Sequence, residues 1–459
     1  MATRRDRRGH ARRGLPRIAV DQHRRRDRGA GSQAHARHLI ATAQGGLPAG
    51  VALAAAKRFG TPLYLYDLAR LRADARGVAA AFPDPWLRLY SLKANGLPAL
   101  VREIAAAGFG ANAVSRGEIS LARRAGLQPA QIALEGIGKT SSDLALAARL
   151  AADRTPLLWV SLESADDAAA LASFVSRKAR VDVLVRVNPG VAPETHHSLA
   201  VGAPDAKFGV SPEELGAVIG AGGGPNGPLR WRGIHLHVGS QLGAVDAWRS
   251  AFRVGLRLLE LNRASLPDFD TLDAGGGFPA QMNDADADSI PGAALFAQET
   301  ARELRELPAK SRPQRLAIEP GRSLVAGSGW LVGRVLHVRD REPTLVVLDT
   351  GMTELIRPAL YGAVHPMRAL TSLGRPTEGL ATDSTLVRVD GPICESTDTF
   401  GMAALPPLAR DDVVAIGMVG AYGSAMFSSY NGRPRPAEVG WDGDRLTLLR
   451  RRGSLASLP

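Results

Sequence analysis

Cysteine and long apolar runs are both scarce in this sequence. Its single cysteine, Cys394, excludes a disulfide framework within the chain and is typical of a reducing cytoplasm. No apolar run approaches the roughly 20 residues that span a bilayer, so no membrane association is expected. His235 and His237 have a spacing that could bind a metal, but no third and fourth ligand is evident nearby, and no metal site is predicted.

Acidic residues are scarce at the N-terminus. The net charge is +12, but residues 1–44 hold twelve arginines and three aspartates, a net of +9, which leaves +3 for the other 415 residues. The segment has no secretory apolar core, so we predict a disordered basic arm over residues 1–46. A misassigned start codon, a nucleic-acid tail and a transit peptide are open interpretations of the arm. The nearly neutral remainder argues against a nucleic-acid-binding protein.

Strand and helix patterns alternate through the central part of the chain, about every 20–30 residues. This alternation predicts parallel strands joined by right-handed crossovers. Eight strands are predicted, and they end near the following residues: Leu92, Ala113, Leu134, Val160, Val187, Val238, Ala274 and Ile318. Because eight parallel strands close a (β/α)8 barrel, we predict an α/β fold with a TIM-like barrel over residues 67–325.

The pattern changes after residue 325. Strand-like segments follow one another with few helices between them, at 331–338, 344–348, 385–389, 413–416 and 445–449. An alternating strand is also predicted at 61–66, before the barrel. We therefore predict a separate all-β domain formed by residues 47–66 and 326–459.

Unusual polar groups follow the predicted barrel strands. Lys93 comes at the end of a short apolar strand, where poor solvation would favour a neutral amine that can form a Schiff base with an aldehyde. Gly275, Gly276 and Gly277 follow another strand, and their backbone N–H groups suit a phosphate, although a plain tight turn would also explain them. Active sites of such barrels lie at these strand ends.

Two further groups have alternative interpretations. His237 could stack its flat ring on an aromatic cofactor, whereas His235 is expected to be a packed core histidine. Glu319 and Arg322 place opposite charges at one strand end, as either site residues or a structural ion pair. In the β domain an arginine, a glutamate and tyrosines could together recognise an amino acid attached to a phosphorylated cofactor: Arg357, Tyr361, Glu395 and Tyr422.

Seven motifs in this order resemble the alanine-racemase-like (fold type III) PLP-dependent decarboxylases, and among them the diaminopimelate decarboxylases. The resemblance covers about residues 47–455. The motifs are Tyr90-Ser-Leu-Lys93-Ala-Asn, His235-Leu-His237-Val-Gly-Ser240-Gln, Asp273-Ala-Gly-Gly-Gly277, Glu319-Pro-Gly-Arg322-Ser, Arg357-Pro-Ala-Leu-Tyr361, Cys394-Glu-Ser and Gly420-Ala-Tyr422-Gly with Tyr430-Asn-Gly-Arg-Pro-Arg-Pro-Ala-Glu438-Val.

The resemblance implies pyridoxal 5'-phosphate as cofactor and meso-diaminopimelate as the substrate, converted to L-lysine and CO2. It implies that Lys93 binds the cofactor aldehyde, that His237 stacks on the ring, and that Glu319 keeps the ring nitrogen protonated. It assigns the phosphate to Ser240, Gly275, Gly276, Gly277 and Tyr422, and the distal carboxylate of the substrate to Arg322, Arg357 and Tyr361.

The resemblance also implies a homodimer in which Cys394 and Glu395 reach the active site of the partner subunit, with Cys394 as the acid that reprotonates Cα. The chain departs from the family pattern at Asn112, where an aspartate is usual, and at Thr397. A related decarboxylase acting on ornithine, lysine, arginine or a carrier-bound amino acid therefore stays an alternative. A racemase of the same barrel and a catalytically silent regulatory relative are weaker alternatives, because Lys93, Glu319 and Cys394 are all present.

Overall fold

The computed structural model describes residues 46–195, 201–203, 206–282, 290–378 and 383–458. Residues 1–45 of the predicted basic arm lie outside the described residues. None of the described helices is both long enough and apolar enough to cross a membrane.

The described chain opens with helix α1 (Ala49–Phe59), strand β1 (Leu63–Asp67) and helix α2 (Leu68–Ala81). The Asp67 side chain caps α2 by accepting a hydrogen bond from the Arg70 N–H at 2.9 Å. Apolar residues three and four apart, Leu71, Ala75 and Val78, form the buried face of α2.

Eight parallel strands then close into a barrel, which confirms the predicted fold class. The strands are β2 (Leu87–Ser91), β3 (Gly110–Ala113), β4 (Ile132–Leu134), β5 (Trp159–Leu162), β6 (Val181–Arg186), β7 (Leu229–His235), β8 (Thr271–Asp273) and β9 (Arg315–Ile318). The helices between them are α3 (Pro98–Ala105), α4 (Arg116–Arg124), α5 (Ser141–Ala152), α6 (Ala165–Phe174), α7 (Leu215–Ala221), α8 (Asp246–Asn262) and α9 (Ala293–Glu306). Strand β9 pairs with β2, with Leu87 opposite Ala317.

Apolar side chains from five barrel strands form a separate buried cluster. Its members are Leu89, Ala133, Trp159, Leu184 and Ala317. Each comes from a different strand, and none is more than 2% exposed. A (β/α)8 barrel packed in this way is a core and not a pore, so its functional site lies at the strand ends.

The remaining elements form the predicted β domain around a nine-stranded sheet. After helix α10 (Arg322–Val325) come β10 (Gly329–Arg339), β11 (Leu345–Leu348), α11 (Arg357–Tyr361), β12 (Met367–Ala369), β13 (Thr371–Ser372), β14 (Arg375–Pro376), β15 (Thr385–Asp390), β16 (Thr399–Leu405), β17 (Val413–Ile416), β18 (Ala437–Asp442) and β19 (Arg445–Arg450). The main path is β16-β15-β11-β10-β1-β18-β19, and β17 pairs with both β10 and β12. Strand β16 was not predicted, because its Gly and Ala residues are poor strand formers.

Strand β1 belongs to this sheet although it precedes the barrel. It pairs antiparallel with β10, with Leu65 opposite Trp330, and parallel with β18. The two parts of the chain also meet directly after β2, where the Asn95 side chain donates a hydrogen bond to the Gly420 carbonyl at 3.0 Å. The β domain is therefore held at the end of the barrel where the strands finish.

Candidate active site

A cavity of about 420 Å³ opens at the C-terminal ends of the barrel strands. Its lining combines ionisable side chains with two glycines that follow β4, Gly136 and Gly138, and a few apolar groups. The lining residues are Lys93, Asn112, Val114, Glu135, Gly136, Ile137, Gly138, Arg186, Val201, Phe208, His235, His237, Ser240 and Glu319.

Lys93 lies in a one-turn 3-10 helix, Leu92–Ala94, directly after β2. This turn is held on two sides: the Ser91 N–H donates to the Pro320 carbonyl at 3.0 Å, and the Tyr422 N–H donates to the Ala94 carbonyl at 2.8 Å. The expectation that Lys93 is poorly solvated is wrong, because the strand ends at Ser91 and the lysine side chain is exposed at the cavity. Its backbone is fixed while its amine is accessible.

Strand β7 ends at His235 and not near Val238 as predicted, so His235 and His237 do not lie on one strand face. His235 is the expected buried histidine, with Nδ1 at 2.8 Å from the Ser161 hydroxyl. His237 lies beyond the strand, and its Nδ1 accepts a hydrogen bond from the Gly276 N–H at 3.1 Å. Burial and then Lys93 lower the pKa of His237 well below its usual range. A neutral imidazole of fixed orientation therefore lies beside Lys93.

Two glutamates that are distant from His235 in the sequence lie close to it in the structure. His235 Nε2 is 3.6 Å from Glu135 Oε2 and 3.5 Å from Glu319 Oε2. These glutamates follow β4 and β9, which are distant in sequence and meet His235 only across the closed barrel.

The glycine loop after β8 is built for close packing. A Cβ at Gly275 would lie 2.1 Å from the Leu236 carbonyl oxygen, and one at Gly276 would lie 2.2 Å from that of Glu319. Two of the three N–H groups are used inside the protein, since Gly275 donates to Asp273 and Gly276 to His237. Of these three N–H groups, which were expected to suit a phosphate, only that of Gly277 has no partner among the described residues.

Glu319 and Arg322 do not form the structural ion pair considered above. Both side chains are buried, but no salt bridge joins them among the described residues. Arg322 Nη2 instead donates to the Ser240 hydroxyl at 3.2 Å, and its guanidinium carbon lies 4.9 Å from the centre of the Tyr422 ring. Glu319 Oε1 has no hydrogen-bond partner within the described part of the chain.

Arg322 and Arg357 form a buried cationic pair without an acidic partner among the described residues. Burial and then Arg322 lower the pKa of Arg357 to about 10, and Tyr422 and Tyr361 partly offset this. Arg357 Nη1 lies 3.2 Å from His365 Nε2, whose ring is fixed by a 3.0 Å hydrogen bond from Nδ1 to the Gly417 carbonyl. Such an arrangement suits a planar anionic group.

Cys394 and Glu395 are exposed and do not line the Lys93 cavity of the same chain. They lie in the loop between β15 and β16, where the Glu395 carboxylate accepts a hydrogen bond from the Tyr430 hydroxyl at 2.7 Å. The buried Asp398 carboxylate holds this loop by accepting from the Ile393 N–H at 2.7 Å.

Three polar residues of the site were missed. Glu135 and Arg186 stand at the ends of β4 and β6, the same signal that pointed to Lys93 and Glu319, and could have been found by it. Arg186 Nη1 pairs with Glu163 Oε1 at 3.1 Å. His365 lies in an irregular segment and had no sequence signal.

These residues fit a pyridoxal phosphate by their own chemistry. Lys93 offers an accessible amine for the aldehyde, and His237 offers a flat neutral ring on the same cavity. The buried Glu319 Oε1 has no partner in the part of the chain that the structure describes, and a protonated ring nitrogen would supply one. The loop after β8 has no space for side chains at Gly275 and Gly276. The Gly277 N–H, which has no partner among the described residues, could bind an anion.

Comparison with known proteins agrees with this site. Residues 68–326 match the family described as "Pyridoxal-dependent decarboxylase, pyridoxal binding domain". The chain thus has the fold of a pyridoxal-dependent decarboxylase, and its cofactor is pyridoxal phosphate.

Individual relatives narrow the assignment. Diaminopimelate decarboxylase of Deinococcus radiodurans is 38% identical over 399 residues, which cover 87% of this chain and 94% of the relative. That of Aquifex aeolicus is 33% identical over 86% of this chain and 90% of the relative. The crystal structure of the Helicobacter pylori diaminopimelate decarboxylase complexed with L-lysine superposes with a TM-score of 0.78 at 30% identity, over 87% of this chain and 96% of that one. The chain belongs to the diaminopimelate decarboxylase family.

Proposed function

We propose that this protein decarboxylates meso-diaminopimelate to L-lysine and CO2. The observation that carries the substrate choice is the pair of buried arginines, Arg322 and Arg357, which have no acidic partner among the described residues. Diaminopimelate carries a second carboxylate beside an ammonium group far from the bond that breaks, whereas ornithine, lysine and arginine carry only a cation there. Two buried guanidiniums would pair with the carboxylate, and the other three substrates would leave them unpaired.

The roles of the site residues follow from their positions. The Lys93 amine would bind the cofactor aldehyde, and His237 would contact the cofactor ring. Glu319 holds a proton on the ring nitrogen by electrostatic attraction. Ser240, Tyr422 and the Gly275–Gly277 loop hold the phosphate, with Gly277 as the backbone donor. Bound pyridoxal phosphate supplies the electron sink for the pair released when the Cα–carboxylate bond breaks.

Arg322, Arg357 and Tyr361 orient the distal carboxylate of the substrate. Tyr361 acts to raise the pKa of both Arg322 and Arg357, which supports one shared binding region. Because this anchor acts at the far end of the substrate, it places the bond that breaks at a fixed position relative to Lys93.

A dimer with shared sites accounts for Cys394 and Glu395. They are exposed and lie off the cavity of their own chain. In a two-fold dimer they would reach the cavity of the partner, where Glu395 binds the distal ammonium group and Cys394 delivers a proton to Cα. An exposed catalytic thiol favours a reducing compartment, so we propose a cytoplasmic enzyme. We also propose that residues 67–325 are the cofactor domain and that 47–66 and 326–459 are the β domain.

A substrate panel tests this function. Purified protein with pyridoxal phosphate is offered meso-diaminopimelate, lysine, ornithine and arginine, and CO2 release is measured. We expect release from meso-diaminopimelate at least about 100-fold faster than from the other three, since leaving a buried charge unpaired costs several kcal/mol. Faster release from lysine or ornithine would contradict the proposed substrate, and none from any of them would contradict the proposed reaction.

A further inference from the structure

A second buried carboxyl group, that of Glu135, stands beside Glu319 in the barrel. Glu135 follows β4 directly and is 2% exposed, and Glu319 follows β9 and is 4% exposed. One oxygen from each and one nitrogen of His235 lie within 4.8 Å of one another. Glu135 also lines the cavity that holds Lys93.

The surroundings of the two carboxyl groups supply little positive charge. Arg186 acts electrostatically on Glu135, but its Nη1 is paired with Glu163 at 3.1 Å. Within the described residues no lysine or arginine forms an ion pair with Glu135 or Glu319. Burial lowers the pKa of His235 to about 4, so this ring is neutral near pH 7. Asp273 adds a third buried acid to the group. Two ionised carboxylates in contact here would repel each other without compensation.

The positions of the oxygens decide which carboxyl group keeps the proton. The cationic ring nitrogen of the cofactor compensates Glu319, whose Oε1 has no partner in the described chain. Glu135 faces neutral groups: Oε2 accepts from the Asn112 amide at 2.9 Å, and Oε1 accepts from the Trp159 indole at 3.4 Å. Burial and then Glu319 raise the pKa of Glu135 well above its usual range, in agreement with this assignment.

We propose that Glu135 is a neutral carboxylic acid that donates a hydrogen bond to Glu319 and thereby holds Glu319 as the ionised partner of the cofactor ring nitrogen. Glu135 is a positioning residue that acts through Glu319. Asn112 and Trp159 each donate to one of its two oxygens and so orient the carboxyl group. The inference rests on the proposed function, because it requires pyridoxal phosphate beside Glu319.

Two substitutions separate a neutral donor from an ionised group. Glu135→Gln keeps a neutral donor, so cofactor affinity, kcat and KM are expected within about threefold of wild type. Glu135→Met has similar bulk and no donor, so cofactor affinity and kcat are expected to fall about 10- to 100-fold, the usual size of a lost hydrogen bond to a charged group. The acid limb of kcat should also move upward by about one pH unit in Glu135→Met alone, because Glu319 then takes up a proton more easily.

The outcomes of this comparison are distinct. Equal damage by Gln and Met would overturn the proposal, because a negative charge at position 135 would then be required. No damage by either, or damage by Gln alone, would overturn it as well. If the wild type binds no pyridoxal phosphate, the proposed function fails. If the wild type binds it and releases CO2 while the two variants behave alike, only the role of Glu135 fails.

Infrared spectroscopy gives a second test that does not need the Met variant to fold. A protonated carboxylic acid has a carbonyl-stretch band that an ionised carboxylate lacks. Wild-type holoenzyme at pH 8 should show this band, and Glu135→Gln should remove one component of it. Glu303→Gln is the matched control, since Glu303 is a buried glutamate ion-paired with Arg253 at 2.6 Å and should leave the band unchanged. A wild-type band that Glu135→Gln leaves intact would overturn the proposal.

Discussion

At the residue scale, Arg357 depends on His365. The imidazole Nδ1 is committed to the Gly417 carbonyl, so Nε2 carries the lone pair that faces Arg357. Burial and then Arg357 lower the pKa of His365 to about 3, so the ring is a neutral acceptor at every working pH. A neutral acceptor orients a guanidinium without cancelling its charge, which leaves that charge for the substrate.

Removing this acceptor should weaken substrate binding. In His365→Ala, Arg357 loses its orienting partner, and we expect KM for meso-diaminopimelate to rise about tenfold, with kcat changed less, as for one lost hydrogen bond of about 1.4 kcal/mol. His337→Ala is the control, since His337 is a half-buried histidine on β10 whose Nε2 has no partner among the described residues. KM and kcat of both variants are measured by steady-state kinetics. An unchanged KM in His365→Ala would refute the role of His365.

Single residues also mark the limit of what could be predicted. The identity of Lys93 and Glu319 as site residues followed from their places after strands. Their surroundings did not, because Glu135, His235 and Glu319 come from three strands that meet only when the barrel closes. The exposure of Lys93 depended on where β2 ends, and strand ends are the least certain feature of a sequence.

At the element scale, the turn after β8 is set by contacts that admit no side chain. Helix and strand periods predicted most elements well, and the strand predicted at 413–416 is β17, over the residues it occupies. Strand β18 was missed because it follows a proline-rich segment and its partner β1 lies 370 or so residues earlier. Close backbone packing, as at Gly276, likewise depends on neighbours that sequence patterns do not reveal.

Gly276→Ala should damage this turn. A Cβ there would lie 2.2 Å from the Glu319 carbonyl oxygen, so the turn must shift, at a cost of about 1–3 kcal/mol. We expect a lower melting temperature and at least about tenfold weaker pyridoxal phosphate binding, measured by titration of the apoenzyme. Gly216→Ala is the matched control, because Gly216 lies in α7 with open space around its Cβ position. Equal behaviour of the two variants would contradict the packing argument.

At the scale of the whole molecule, one chain lacks a complete site if Cys394 and Glu395 serve the partner. The barrel and the β domain are joined through β1 and through the contacts of Asn95 and Tyr422. Those contacts bring Arg357 and Tyr422 to the barrel but leave Cys394 exposed. Composition and periodicity could predict the two folds, whereas the shared site came only from the family resemblance.

Mixing inactive variants should test the shared site. Lys93→Ala and Cys394→Ala damage different halves of each site, so a mixed dimer regains one intact site. Random exchange makes half of the dimers mixed, and we expect about a quarter of wild-type activity. Lys93→Ala mixed with Glu319→Ala is the control and should regain none, because both changes affect the barrel half. Absence of recovery in the first mixture, after exchange of subunits has been verified, would contradict sharing.

The most direct test of the central claim is the location of the cofactor. Holoenzyme is reduced with borohydride and digested, and the peptides are analysed by mass spectrometry. We predict the pyridoxyl mass on the peptide that contains Lys93, its loss in Lys93→Ala, and its retention in Lys57→Ala, a change at an exposed lysine of α1. A pyridoxyl group on another lysine of the wild type, or a labelled Lys93→Ala protein, would contradict the account.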